Sequence, residues 1–149
     1  MNESGDPYEL NDLFDDQKWI AFVILQKIHE WFTTPNLSTF EPLRCAINGQ
    51  AGTGKSVLLN TITSVVRRFT NSNNACIVAA PTGTAAFNVN GETIHGVLSM
   101  TENDENVGLP VLGETRKKKL IEKFKDCLVL IFDERSMIPS STMQSLRMS

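Results

Sequence analysis

The 149 residues provide for one domain around one hydrophobic core. At 41% apolar residues the composition is that of an ordinary globular chain; the longest early apolar run, residues 20–25, is too short to span a bilayer, and no basic stretch with a following cleavage site marks the start for secretion. The net charge of −3 hides an asymmetry, because six of the 17 acids (Glu3, Asp6, Glu9, Asp12, Asp15 and Asp16) crowd into the first 16 residues and leave 14 basic against 11 acidic residues beyond them, a surplus too mild to demand or to exclude a nucleic-acid partner.

In chain order, residues 1–12 are acidic and aperiodic and are expected to form a flexible lead-in. From residue 14 to 32, Ile20, Val23, Ile24, Ile28 and Trp31 recur at three- and four-residue steps, which predicts a helix with a broad buried face. Thr33-Thr34-Pro35-Asn36 ends it. Residues 43–48 form a short apolar run into Gly49 and are predicted to be a strand. Leu58, Thr61, Ile62, Val65 and Phe69 give helical spacing to residues 55–69, and Asn71 to Asn74 make a turn cluster.

A second strand is expected over 75–80, a short helix over 83–87 and a tight turn at Asn90-Gly91. Residues 96–115 read as a long surface loop. A basic helix over 116–125, read as a solvated face, leads to a third strand over 127–132. A last helix is expected over 138–148. Strands alternating with helices predict an α/β fold with a parallel sheet, whose ligands bind at the carboxyl ends of the strands. Cys45, Cys76 and Cys127 are odd in number and widely spaced, which speaks against a zinc site or a disulfide framework. Each lies in an apolar run and reads as a buried strand thiol in a reducing compartment.

Gly49-Gln50-Ala51-Gly52-Thr53-Gly54-Lys55-Ser56 satisfies G-x-x-x-x-G-K-[ST] in full. Glycines let the backbone wrap a phosphate chain with its N–H groups inward, and the helix that follows offers its N-terminal dipole. Lys55 is placed for the β- and γ-phosphates, and the Ser56 hydroxyl for Mg²⁺. The motif alone means nucleoside triphosphate phosphates, a property shared by kinases, GTPases and motors. The third strand runs directly into Asp133-Glu134. Asp133 at that strand end can hold Mg²⁺, through water, and Glu134 can polarise an attacking water as general base. ATP-hydrolysing motors use such an adjacent pair.

Taken in order, these motifs resemble those of the petite-integration-frequency (Pif-type) helicases of superfamily 1, a group that includes the Helitron transposon helicases. The phosphate loop resembles their motif I, Ala80-Pro81-Thr82-Gly83-Thr84-Ala85-Ala86 their motif Ia, Thr93-Ile94-His95 their motif Ib and Asp133-Glu134-Arg135-Ser136-Met137 their motif II. The resemblance covers residues 10–149. It implies a P-loop NTPase of RecA-like fold and an ATP-dependent 5′-to-3′ DNA helicase, with Mg²⁺ accompanying ATP. Roles in DNA repair, recombination, transposition or telomere maintenance, and a nuclear or mitochondrial home in a eukaryote, come with it.

On the same footing Pro81, Thr82, Gly83, Thr84, Thr93 and His95 become contacts to single-stranded DNA, and Gln17 the reader of the adenine edge. Arg135 stands where the family usually has an apolar or small residue, and Gly96 where it often has serine. The chain stops soon after the acid pair, so it is expected to be the front RecA-like domain, incomplete at its C-terminal end. The second RecA-like domain and its arginine fingers would then lie elsewhere, leaving this part to bind Mg-ATP and hydrolyse it weakly. Two other readings stay open: a small P-loop phosphotransferase, which leaves motif Ia and the acid pair without a role, and a non-catalytic nucleotide-binding relic.

Overall fold

A computed structural model describes residues 8–50, 52–100 and 113–134. The chain divides into two compact units, Met1–Asn71 and Ser72–Ser149, taken here in turn. The expected helix over 138–148 and most of the expected surface loop fall outside the described residues.

In the first unit the described residues are helical or irregular. Near the end of the acidic stretch Leu10–Asp12 forms a single 3-10 turn, and the backbone N–H of Glu9 donates to Asp12 Oδ2 at 2.8 Å. Leu13 is buried behind it. Helix α1 (Asp15–Thr33) buries Gln17, Ala21 and Ile28. It ends at Thr34, whose N–H still reaches the Glu30 carbonyl at 2.9 Å, before Pro35 stops propagation.

Helix α2 (Lys55–Thr70) buries Leu58, Leu59, Ile62 and Val66. Burial stabilises each by about 1.5–3 kcal/mol over exposure. Arg67 and Arg68 lie in its last turn, where cations suit the helix dipole, and Asn71 closes it in the left-handed region at φ 51°.

Residues 43–48 do not form the expected strand. An apolar run predicts burial, whereas a strand also needs a neighbour to complete its hydrogen-bond ladder, and the first unit has no strand among its described residues. Leu43, Cys45, Ala46 and Ile47 instead line a groove of about 360 Å³ facing Trp19, Ile20, Val23 and Ile24 of α1. Cys45 is therefore exposed, contrary to the buried strand thiol expected, while Cys76 is buried and Cys127 half-buried.

The second unit is built on a parallel sheet of order β2-β1-β3. Strand β1 (Cys76–Ala80) is buried along its whole length, as a central parallel strand with both faces covered should be. It pairs with β3 (Val129–Phe132) from Cys76↔Val129 to Ala79↔Phe132 and with β2 (Glu92–Thr93) through Ala79↔Glu92 and Ala80↔Thr93.

Helix α3 (Gly83–Asn88) presents Ala85 and Ala86 to Ala80, and those small side chains permit close helix–sheet contact. The turn after α3 places Asn90 at φ 50° and brings Gly91 so near β1 that an added Cβ would lie 2.5 Å from the Val78 carbonyl oxygen. Helix α4 (Ile94–Val97) occupies the start of the region expected to be loop. Ile77, Ala79, Ile94 and Val97 form the core of this unit, packed by Leu98, Phe124, Cys127 and Phe132. Helix α5 (Glu114–Phe124) leads into β3. Among the described residues no helix is long and apolar enough to cross a membrane.

Candidate functional site

In the first unit the phosphate loop folds over its own lysine. Gly52 and Gly54 adopt φ of 78° and 75°, a region open to glycine at little cost, and Gly54 hands the chain into α2 as its N-cap. Lys55 Nζ donates to the carbonyls of Gly49 and Gln50, each at 2.7 Å. Thr53 Oγ1 donates to the Gln50 carbonyl at 2.9 Å. Ser56 lies in the first turn of α2, exposed. Ala51 lies outside the described residues.

Gln17 joins this loop. It is 8% exposed; its Oε1 accepts the Phe14 N–H at 3.2 Å, and its Nε2 donates to the Thr53 carbonyl at 2.9 Å. One amide thus starts α1 and holds the loop, using both of its polar atoms. A Cβ on Gly54 would lie 2.8 Å from Gln17 Nε2, so glycine there also makes room for the amide. The expectation for Gln17 rested on its place before a helix, and no spacing rule pointed to its bond with Thr53, 36 residues away.

In the second unit three of the remaining candidates stand at the carboxyl ends of strands. Pro81 follows β1, Thr93 ends β2, and Asp133 follows β3; the register Ala80↔Thr93 and Ala79↔Phe132 sets these ends side by side. The Asp133 N–H extends the ladder to the Ala79 carbonyl at 2.9 Å, and Asp133 Oδ1 accepts the Glu134 N–H at 2.9 Å. Glu134 stands at φ 49°. A left-handed, non-glycine residue costs about 1 kcal/mol or more, and here that conformation turns the chain immediately after the strand. Arg135, Ser136 and Met137 lie outside the described residues.

Thr82 and Thr93 each cap a helix. Thr82 Oγ1 accepts the Ala85 N–H at 3.2 Å, and Thr93 Oγ1 accepts the Gly96 N–H at 3.1 Å. A capping oxygen accepts, so each hydroxyl proton stays free to donate to a phosphate. A Cβ on Gly96 would come within 3.2 Å of Thr93 Oγ1, which makes glycine a good fit to the capped turn. Nothing lies within 4 Å of a Cβ built on Gly83; the surface beside Thr82 and Thr84 is open. Phe87 of α3 is 83% exposed. It was no candidate from sequence, although four-residue spacing from Gly83, with Ala85 and Ala86 on the buried side, could have marked it.

The family model for PIF1-like helicase matches residues 32–149 of the chain. Over 137 residues the chain is 30% identical to the ATP-dependent DNA helicase PIF1 of Candida albicans, a match covering 92% of this chain and 15% of that protein. To the ATP-dependent DNA helicase PIF5 of Trypanosoma brucei brucei it is 33% identical over 92 residues, 62% of this chain and 10% of the relative. To the ATP-dependent DNA helicase Pif1 of Campylobacter jejuni it is 28% identical over 105 residues, 67% of this chain and 23% of the relative. The chain therefore spans less than a quarter of the length of each of these relatives. No solved structure matches it.

Proposed function

The chain belongs to the PIF1-like helicase family, and from that premise we propose that it is the part of an ATP-dependent 5′-to-3′ DNA helicase that binds Mg-ATP and touches single-stranded DNA. The observation that carries the proposal is the phosphate loop, complete in its residue types and leading through a left-handed Gly54 into a helix of 16 residues with Lys55 at its head. A glycine turn that leads into a helix N-terminus with a lysine beside it suits one phosphate chain, through the helix dipole and the lysine's charge.

In this reading Lys55 exchanges its bonds to the loop carbonyls for the β- and γ-phosphates. Gln17 exchanges its bond to Thr53 for the adenine edge. Ser56 in the first unit and Asp133 in the second are each candidate Mg²⁺ ligands, a hydroxyl and a carboxylate being hard oxygen donors of the kind that suit an ion keeping several waters of its own. Mg²⁺, when bound, would supply charge neutralisation on the transferring phosphate. Glu134 accepts the proton of the attacking water. Pro81, Thr82, Gly83, Thr84, Thr93 and His95 meet the backbone of the single strand without reading its sequence. A second RecA-like domain as partner belongs to the same proposal, as do service in repair, recombination, transposition or telomere maintenance and a nuclear or mitochondrial home.

Isothermal titration of the chain with Mg-ATP tests the central claim. Saturable binding at one site is expected, and Lys55→Ala should weaken it at least tenfold with the fold intact by circular dichroism. Absence of binding by the unsubstituted chain would overturn the proposal.

A further inference from the structure

Helix α5 carries Arg116, Lys117, Lys118, Lys119 and Lys123, the densest positive charge in the sequence, read above as a solvated face. The structure gives that face a location. Arg116 Nε donates to the Ser99 carbonyl, and Lys123 Nζ donates to Glu92 Oε2 at 2.7 Å. Glu92 immediately precedes Thr93, and Ser99 lies two residues past the end of α4. The two bonds therefore bracket Thr93 and His95 in the chain and lay α5 alongside them. Leu120 is half-buried and Phe124 packs into the core of this unit, which fixes the rotation of the helix.

Arg116, Lys119 and Lys123 share one helical row, spaced three and four residues apart. About 10 Å of helix separates the first from the last, and Lys119 stands between the two tethers. Lys118 projects opposite Leu120, and Lys117 lies on the other flank of the helix, three residues before Leu120. All three lysines are exposed, and no hydrogen bond or ion pair to any of them is found among the described residues. Of the carboxylates on hand, Glu92 pairs with Lys123 and Glu122 with Lys125, while Glu114, three and four residues before Lys117 and Lys118, makes no ion pair with them among the described residues. Three exposed ammonium groups thus stand on α5 without an ion-pair partner among the described residues, with Lys119 on the tethered row near Thr93.

We propose that Lys117, Lys118 and Lys119 form a phosphate-binding track for single-stranded DNA that runs around the first turns of α5, starting from the Lys119 side next to Thr93. The inference rests on the proposed function for its ligand. Ammonium groups on flexible stems attract phosphates and do not read bases, so the track adds affinity and no sequence preference. Each phosphate neutralised on a single strand releases condensed counterions and contributes about 0.7 to the slope of log affinity against log salt. Three lysines account for a slope of about 2.

The test measures fluorescence anisotropy of a labelled oligothymidylate with the full chain between about 50 and 200 mM salt. The combined variant K117Q/K118Q/K119Q should lose about 2 from the slope while retaining wild-type affinity for Mg-ATP. K117R/K118R/K119R, which keeps the charge, should keep the slope. K18Q/R44Q/R68Q removes the same charge from the first unit and should leave the slope nearly unchanged.

An unaltered slope in the α5 glutamine variant, or an equal drop in the first-unit control, overturns the track and leaves the proposed function standing. So does binding to phosphatidylserine vesicles that the glutamine variant loses while its slope on DNA persists. Failure of the unsubstituted chain to bind oligothymidylate, with Mg-ATP binding intact, overturns the track together with the DNA half of the proposed function.

Discussion

At the scale of single residues, the candidate site depends on groups that serve two ends. Gln17 is the sharpest case, since its amide is the N-terminal anchor of α1 and a clasp on the phosphate loop at once. A neutral hydrogen bond contributes about 0.5–1.5 kcal/mol net, so loss of the clasp alone weakens nucleotide binding by roughly tenfold or less. The size of the loss is similar for both roles, so the base of the nucleotide must separate them. If Gln17 reads the adenine edge, Gln17→Ala lowers affinity for Mg-ATP by about tenfold and leaves Mg-GTP little changed, so that the preference between them disappears. Parallel titrations with the two nucleotides check this. Equal loss for both would leave Gln17 a clasp and nothing more. Thr82 and Thr93 are similar, each spending its oxygen on a helix cap and keeping its proton. The cap role of Thr82 was open to sequence reading, because a short helix was expected after it and threonine before a helix is a common cap; that of Thr93 was not, because no helix was expected there. Nor was the Gln17–Thr53 bond, because it joins distant segments and has no local periodicity to announce it.

At the scale of elements, the helices were legible and the strands only in part. Helices α1 and α2 match their expected spans to within a residue or so, because a three- and four-residue apolar rhythm over five turns has one good solution. Strands β1 and β3 were legible as apolar runs. Residues 43–48 carry the same signal and are no strand, since apolarity specifies burial and says nothing about the neighbour that a ladder needs. Strand β2 is only Glu92–Thr93, too short for any period. It exists because Gly91 lets the turn after α3 press against β1. The clash described above therefore predicts that Gly91→Ala destabilises this unit by about 1–3 kcal/mol, the range for an overpacked site. Urea denaturation checks it: the midpoint should fall with little change in slope. A midpoint within error of the parent would show that β2 does not depend on this close approach.

At the scale of the whole molecule, the three cysteines report independently on whether the chain in solution has the burial described. Sequence alone gave them one shared fate, a thiol in a buried strand. The structure gives three: Cys76 is inaccessible at the centre of the sheet, Cys127 is half-buried, and Cys45 is exposed on a segment with no strand partner. Burial pushes the Cys127 thiol above its ordinary value, while backbone hydrogen bonds at Ile77 and Val129 pull the other way. Thiolate is the reactive form, so a raised thiol is slow at neutral pH for a reason beyond access. The linkage has a definite sign. The folded state holds this proton more tightly than the unfolded state does, so its contribution to stability is full below the ordinary thiol range. That contribution is lost as pH rises through the elevated value. Labelling with a chromogenic disulfide at neutral pH should modify Cys45 within the mixing phase, Cys127 slowly and Cys76 only on unfolding. Raising the pH should speed Cys127 most. The order bears on the fold itself: if residues 43–48 were a buried strand in solution, Cys45 would be protected as Cys76 is. A single fast thiol that disappears in Cys45→Ser supports the exposed segment, and three protected thiols would restore the strand that the apolar run suggested.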